Sequence, residues 1–187
     1  MPYQPIEDYG IIGNLKTAAL IGKNGSLDWL CYPRFDSPSI FAAILDSKKG
    51  GYFRIASTAE NVAHKQLYWP DTNVLVTRFL SPDGVGETID FMPMGDNSGT
   101  ADGYLIRWVR VLRGTMRFRL DCHPAFNYAR DTHVTRIVKG GAHFSAPGLR
   151  LGLESPIHLR HDGDGVSAEF SLSEGNGRSF QIGRAHV

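Results

Sequence analysis

Short apolar segments broken by turn residues run through most of this chain, and that spacing constrains its fold more than any other feature. Residues 116–122, Met-Arg-Phe-Arg-Leu-Asp-Cys, alternate with period two, so one face of the strand is buried and the other is wet. Residues 73–80 form a strong strand, and Pro82-Asp83-Gly84 turns it towards a partner at 87–92. A looser alternation covers 52–56. The mostly apolar run 104–112 reads as a strand with a bulge, because Arg107 and Arg110 fall out of strict alternation. Gly114 is read as the turn between that strand and 116–122, and 96–102 as a polar loop. Further strands are expected at 134–138, 142–145, 149–153, 157–159 and 166–172. Roughly ten short strands at this spacing predict an all-β fold, a large antiparallel β-sandwich. No repeat of fixed period and no internal linker is visible.

The stretch 24–39 is the densest in unusual residues. Asn24-Gly25 supplies the positive φ values of a type I′ turn joining strands at 17–21 and 26–32. Pro33 ends the second strand, and a loop crowded with polar and aromatic side chains follows. Ser37-Pro38 resembles a helix entry, and Ile40, Phe41, Ile44 and Leu45 make one apolar stripe. One short helix is therefore expected near residues 38–46, ended by Gly50-Gly51. Residues 6–10 are an approach segment without a period.

Composition narrows the function classes. At 187 residues one domain is the default, and 42 % apolar with 21 % charged residues is ordinary for a globular chain. A formal net charge of +1 offers no electrostatic case for nucleic acid or an acidic membrane surface. The apolar runs are too short to span a bilayer, and residues 1–5 lack the pattern of a signal peptide. Two cysteines, Cys31 and Cys122, are too few for a disulfide scaffold or a paired-cysteine zinc site. Buried free thiols are expected, and with them a cytoplasmic location. Residues 182–187 do not continue the preceding strand pattern and match the translation of a common sequencing-adapter sequence. Residues 181–187 are accordingly expected to be an artefact and set aside, leaving residues 1–180 as the domain.

No constellation of catalytic residues emerges from spacing. Asp28, Asp36 and Asp90 each sit beside a large aromatic residue, but no pair has the spacing of acid–base hydrolysis. Turn capping or arginine pairing is the expected use of these acids, with Arg34 the candidate partner of Asp36. The seven histidines form no metal motif, and neither a cofactor nor a metal is expected. Phosphate loops and nucleophile elbows are absent. Trp29, Tyr32, Arg34, Phe35 and Asp36 stand apart: aromatic faces, a guanidinium fork and a carboxylate are what a sugar-binding surface requires. Trp29, Arg34, Phe35, Asp36 and Ser37 are the candidate residues for substrate binding or a domain interface; no residue is a catalytic candidate.

Several motifs then carry a family resemblance. They are residues 6–10, Gly13, 17–20, 25–31 and 33–39, followed by 70–75, 90–93 and 124–128. Together they resemble the amino-terminal domain of glycoside hydrolase family 15 proteins of the trehalase-like or glucoamylase-like branch, from about residue 5 to 180. The resemblance implies a β-super-sandwich in front of an (α/α)6 barrel. In that family the barrel carries two glutamates and cleaves α-glucosidic bonds with inversion, and no position of this chain matches either glutamate. The implied partners are the chain's own catalytic (α/α)6 domain and an α-glucoside such as trehalose or a malto- or isomalto-oligosaccharide. This fragment alone is expected to be inactive, with the 33–37 loop at the barrel's mouth. Two further readings stay open: a free-standing carbohydrate-binding module, and a purely structural lid or chaperoning domain.

Overall fold

The computed structural model describes residues 3–94 and 103–185, so the expected loop 96–102 lies outside the described residues. A 310 turn at Ile6–Asp8 leads into fifteen antiparallel strands. The first sheet is built from β1 (Tyr9–Gly13), β2 (Ala18–Gly22), β3 (Ser26–Cys31), β4 (Ser39–Phe41) and β5 (Tyr52–Ser57). The second begins with β6 (Ala63–Tyr68), β7 (Leu75–Ser81) and β8 (Gly84–Phe91). It closes with β10 (Val134–Val138), β11 (Gly141–Ala146), β12 (Leu149–Glu154) and β15 (Gly177–Arg184). β13 (Arg160–Asp162) and β14 (Gly165–Ser173) return to the first sheet. The all-β, sandwich-like class predicted by the turn spacing is the one observed.

β9 (Leu105–His123) joins the two layers. Its first half pairs with β8 and β15, and its second half with β5 and β14, so one strand crosses from sheet to sheet. Gly114 therefore makes no reversal, contrary to the expected turn. Its φ of +73° and the Asp83 carbonyl oxygen 2.1 Å from where a Cβ would stand show a close backbone approach that only glycine permits. The register with β8 shifts between Val85 and Gly86, which bends the strand at this point. Leu105, Arg107, Val109 and Val111 all point inward, so Arg107 obeys the alternation that the sequence appeared to break.

The helix expected near residues 38–46 is absent; besides the 310 turn, the one helical element among the described residues is the short α1 (Phe126–Ala129). Ser39, Ile40, Phe41 and Ala42 are all buried, which a helix presenting one apolar stripe cannot achieve. They form β4 on β3 instead, with a single turn after Ala42, and Leu45 of the supposed stripe is 63 % exposed. The hairpin at Asn24-Gly25 is also of another kind. Gly25 has φ +79° whereas Asn24 does not have a positive φ, and the Gly25 N–H donates to the Gly22 carbonyl. A type I turn with a glycine bulge results, matching the register shift between Leu20 and Ile21. Strand β15 runs through Arg184 and pairs with β12, so residues 181–184 do continue the strand pattern they were expected to leave.

The core lies between the sheets. Phe79, Phe118, Phe170 and Phe180 form a chain of ring contacts with centroids 5.5–6.2 Å apart. Each buried ring contributes about 1.5–3 kcal/mol from area alone. Within this apolar interior sit Arg107 and Asp90, both fully buried. Arg107 Nε donates to Asp90 Oδ1 at 2.8 Å, and its Nη2 to Asp90 Oδ2 and to the Gly25 carbonyl. Nη1 donates to the Phe53 carbonyl, and the guanidinium stands 4.9 Å from the Phe53 ring centroid. The pair thus ties β8 and β9 of one sheet to β5 and the β2–β3 turn of the other. Glu87, also buried, receives Arg78 and Arg110 from the flanking strands.

Truncating Arg107 to alanine orphans a buried carboxylate and two carbonyls. A loss of about 3–5 kcal/mol is expected, read as a lower urea midpoint with an unchanged slope. Cys31 and Cys122 are both buried and free, and burial pushes both thiols up. Neither should react with a soluble disulfide reagent at pH 8 in the native state, and both should react after unfolding; labelling before unfolding would contradict the burial.

Candidate functional site

The loops at one end of the sandwich hold the candidate residues. After β3 the chain makes a tight turn in which the Arg34 N–H donates to Ser37 Oγ and the Ser37 N–H to the Arg34 carbonyl. The Phe35 N–H donates to the Lys16 carbonyl at 2.8 Å, tying this turn to the β1–β2 loop. That second loop is itself fixed by Asn14, whose Oδ1 accepts the N–H groups of Lys16 and Thr17. Two anchored loops therefore project their tips together. Phe35 is 61 % exposed and Leu15 is 81 % exposed. With Tyr32, Pro33, Lys16 and Arg184 they border an open recess of about 560 Å³.

The candidates divide into two groups. Arg34, Phe35, Asp36 and Ser37 come together on the loop, and Arg34 Nε lies 3.4 Å from Asp36 Oδ1, the pairing the sequence suggested. Both side chains are more than 70 % exposed, so the contact is screened and worth little. Trp29 is not among the residues lining that recess. It is half-buried on β3 and meets Tyr128, with ring centroids 6.3 Å apart.

Tyr128 escaped the sequence reading. Asn127, Tyr128 and Ala129 have φ values of +52°, +58° and +62°, three successive left-handed residues without a glycine. Asparagine tolerates that conformation, but each of the other two costs about 1–2 kcal/mol. The turn is held by the Tyr128 N–H donating to the buried Ser39 Oγ, by Asn127 Nδ2 donating to Asp131 Oδ1, and by the buried Phe126 beneath. It leaves the Tyr128 ring 41 % exposed, with the Arg130 guanidinium 5.9 Å from its centroid. Its hydroxyl lies 4.0 Å from Cys31 Sγ, a contact that pushes the phenol up. The sole sequence signal was Asn127, since nothing in Tyr-Ala announces left-handed backbone. A smaller recess of about 250 Å³ is lined by residues of both segments, Pro33 and Ser37 of the loop and Asn127 and Asp131 of the turn.

The remaining acids are committed to structure. Asp28 accepts from Tyr9 Oη at 2.7 Å and from Ser26 Oγ at 2.5 Å, while burial and this carboxylate push the Tyr9 phenol upward. Asp90 belongs to Arg107. Asp121, His123 and Asp162 have ligand atoms within 4.8 Å of one another, but Arg119 Nε lies 2.7 Å from Asp121 and Nη2 3.2 Å from Asp162. A cation there would have to displace a guanidinium already in place. What the loop end offers chemically is contact: exposed rings, an arginine and amide and hydroxyl groups on rigid supports.

Comparison with known proteins gives these features a family. Residues 2–174 match the family described as "Trehalase-like, N-terminal". The chain is 35 % identical over 155 residues to a trehalase of Thermoplasma acidophilum, a match covering 82 % of this chain and 27 % of that protein. It is 36 % identical over 144 residues to a trehalase of Mycolicibacterium smegmatis, covering 69 % of this chain and 21 % of that protein. A protein named trehalase 2 from Sulfolobus acidocaldarius is 35 % identical over 151 residues, 81 % of this chain and 24 % of that protein. The chain spans about a quarter of the length of these relatives. The match across nearly its whole length and the two-sheet fold agree: the chain belongs to the trehalase-like N-terminal family.

Proposed function

We propose that this chain is the non-catalytic front domain of an α-glucoside hydrolase, and that it packs on the catalytic domain and helps shape its glucosyl site. The observation that carries the reading is the 33–37 loop. It is anchored by backbone hydrogen bonds at both sides, yet leaves Phe35, Arg34 and Asp36 largely exposed. A ring that costs free energy in water and is held there by a rigid loop is suited to a partner surface. The relatives named trehalases are roughly four times longer than the matched stretch, which leaves room for that partner in the same polypeptide. Trehalose is the favoured substrate on those names; malto- and isomalto-oligosaccharides belong to the glucoamylase-like branch of glycoside hydrolase family 15.

The chemistry belongs to the rest of the polypeptide on this reading. Inverting hydrolysis needs a general acid and a general base about 6.5–9.5 Å apart, with room for the attacking water. Asp28 and Asp90 are buried and bonded within this domain, and Asp36 is paired with Arg34 in open solvent, so all three are committed to contacts of this domain. The domain's contribution is positional: the loop closes one side of the glucosyl site and excludes water.

Sequencing the source DNA beyond the codon for Phe180 should reveal a reading frame that continues into several hundred residues; a genuine stop after Val187 would move the carbohydrate-binding module to first place. In the full-length enzyme, replacing both Arg34 and Phe35 with alanine should lower kcat/KM by about tenfold, the loss of roughly 1.4 kcal/mol of contact. The melting temperature should not move, because both side chains are exposed. Unchanged kinetics would exclude the loop from the glucosyl site. Titrating trehalose into this chain alone should give no heat at millimolar sugar, whereas saturable binding would favour the binding-module reading.

A further inference from the structure

We infer that the left-handed turn bearing Tyr128 is a second anchor of the same docking surface, seated against the catalytic domain of its own polypeptide. The inference rests on the reading of this chain as a front domain and adds to it a contact that the sequence did not suggest. Its first support is strain. Tyr128 and Ala129 hold left-handed backbone that their Cβ atoms disfavour, and the tilted ring contact with Trp29 recovers less than the two residues cost. Strain of this kind persists where the surroundings over-determine it, and it is concentrated at clamps and contact sites. Here Ser39 Oγ, Asp131 and the buried Phe126 supply that over-determination.

The second support is what the strain achieves. It holds the Tyr128 ring 41 % exposed, beside half-buried Trp29 and under the Arg130 guanidinium. Tryptophan, tyrosine and arginine are the residues that dominate binding at protein interfaces, because they offer large, stiff contact areas. The third is continuity. Pro33 and Ser37 of the loop and Asn127 and Asp131 of the turn line one recess, so the segments that carry Phe35 and Tyr128 adjoin, although neither ring lines the recess itself. The occupant is set by length: relatives at 35 and 36 % identity are covered over only 27 % and 21 % of their length by the matched region. A covalently attached domain faces this surface at high effective concentration, which a second copy of the chain does not.

The test is site-specific photocrosslinking in the full-length polypeptide, with a benzoylphenylalanine replacing Tyr128 in one variant and Phe35 in another. Both side chains are exposed, so the larger ring is accommodated; Arg130 is the alternative position if the Tyr128 variant does not fold. Mapping by mass spectrometry should place crosslinks from position 128 in residues beyond this domain, within the same chain. Crosslinks confined to residues 1–187, crosslinks to a second copy, or none would each overturn the inference. A crosslink from position 35 without one from position 128 rejects the second anchor and leaves the front-domain reading standing. Silence at both positions rejects the reading itself. Relief of strain gives an independent check: Ala129→Gly should raise the melting temperature by about 2–4 °C if the backbone is strained as described. No rise would remove the strain on which the inference stands.

Discussion

The pair of Arg107 and Asp90 is the interaction on which the two-sheet arrangement depends. A guanidinium has no neutral form to retreat to, so burying it without exposure demands acceptors in the right places. Those acceptors come from three parts of the chain: the β8 carboxylate, the Phe53 carbonyl on β5, with the ring of the same residue against the guanidinium, and the Gly25 carbonyl of a turn. Each must be correctly placed for the others to be satisfied. Such a pair stabilises a protein little compared with an apolar replacement, but any packing that separates its members is strongly penalised. It therefore acts as a test of register. A slip of β8 against β9 by one residue would place Asp90 and Arg107 on opposite faces.

The crossing strand β9 gives this constraint its reach. One continuous backbone supplies Arg107 to one sheet and Phe118 and Leu120 to the other, so the position of the charge fixes the position of the aromatic core. Gly114 allows the bend and the bulge accommodates the change of direction. The scaffold that results is rigid at its middle. Its loop end is different in kind: the 14–17 and 34–37 turns are held by local hydrogen bonds through Asn14 and Ser37, and the 127–129 turn is tied to the buried Ser39 of β4. Contact residues can thus change identity at the tips without disturbing the sandwich.

Legibility in the sequence follows the range of the forces involved. Alternation at 116–122 and the turn residues around them are local signals, and they located most strands and the all-β class correctly. Elements governed by tertiary burial were misread. Ile40, Phe41, Ile44 and Leu45 make a helical stripe on paper, but the consecutive buried residues Ser39, Ile40 and Phe41 belong to a strand with protein on both sides. Arg107 resembled a break in alternation because its partner, seventeen residues away, was invisible. The 33–37 loop was legible because its unusual residues are contiguous. Its companion at 127–129 was not, because left-handed backbone at tyrosine and alanine is imposed by contacts from β4 and α1 and has no compositional mark beyond Asn127.

That contrast bears on what the loop end is for. A fold that needed only to close its sandwich could connect β9 to β10 with glycine at the left-handed positions, as it does at Gly140, Gly148 and Gly163 in other turns. Tyrosine at position 128 forgoes that relief and keeps a large ring partly in water, so neither backbone nor burial accounts for it. The same holds for Phe35, whose loop would be equally well anchored with a polar residue at its tip, since its hydrogen bond to the Lys16 carbonyl uses the backbone N–H. Two rings, each costly where it stands and each fixed by rigid local bonding, line one end of the domain. Within the domain Tyr128 gains its contacts with Trp29 and Arg130, whereas a domain that meets a partner there gains a preorganised surface whose side chains lose little entropy on docking.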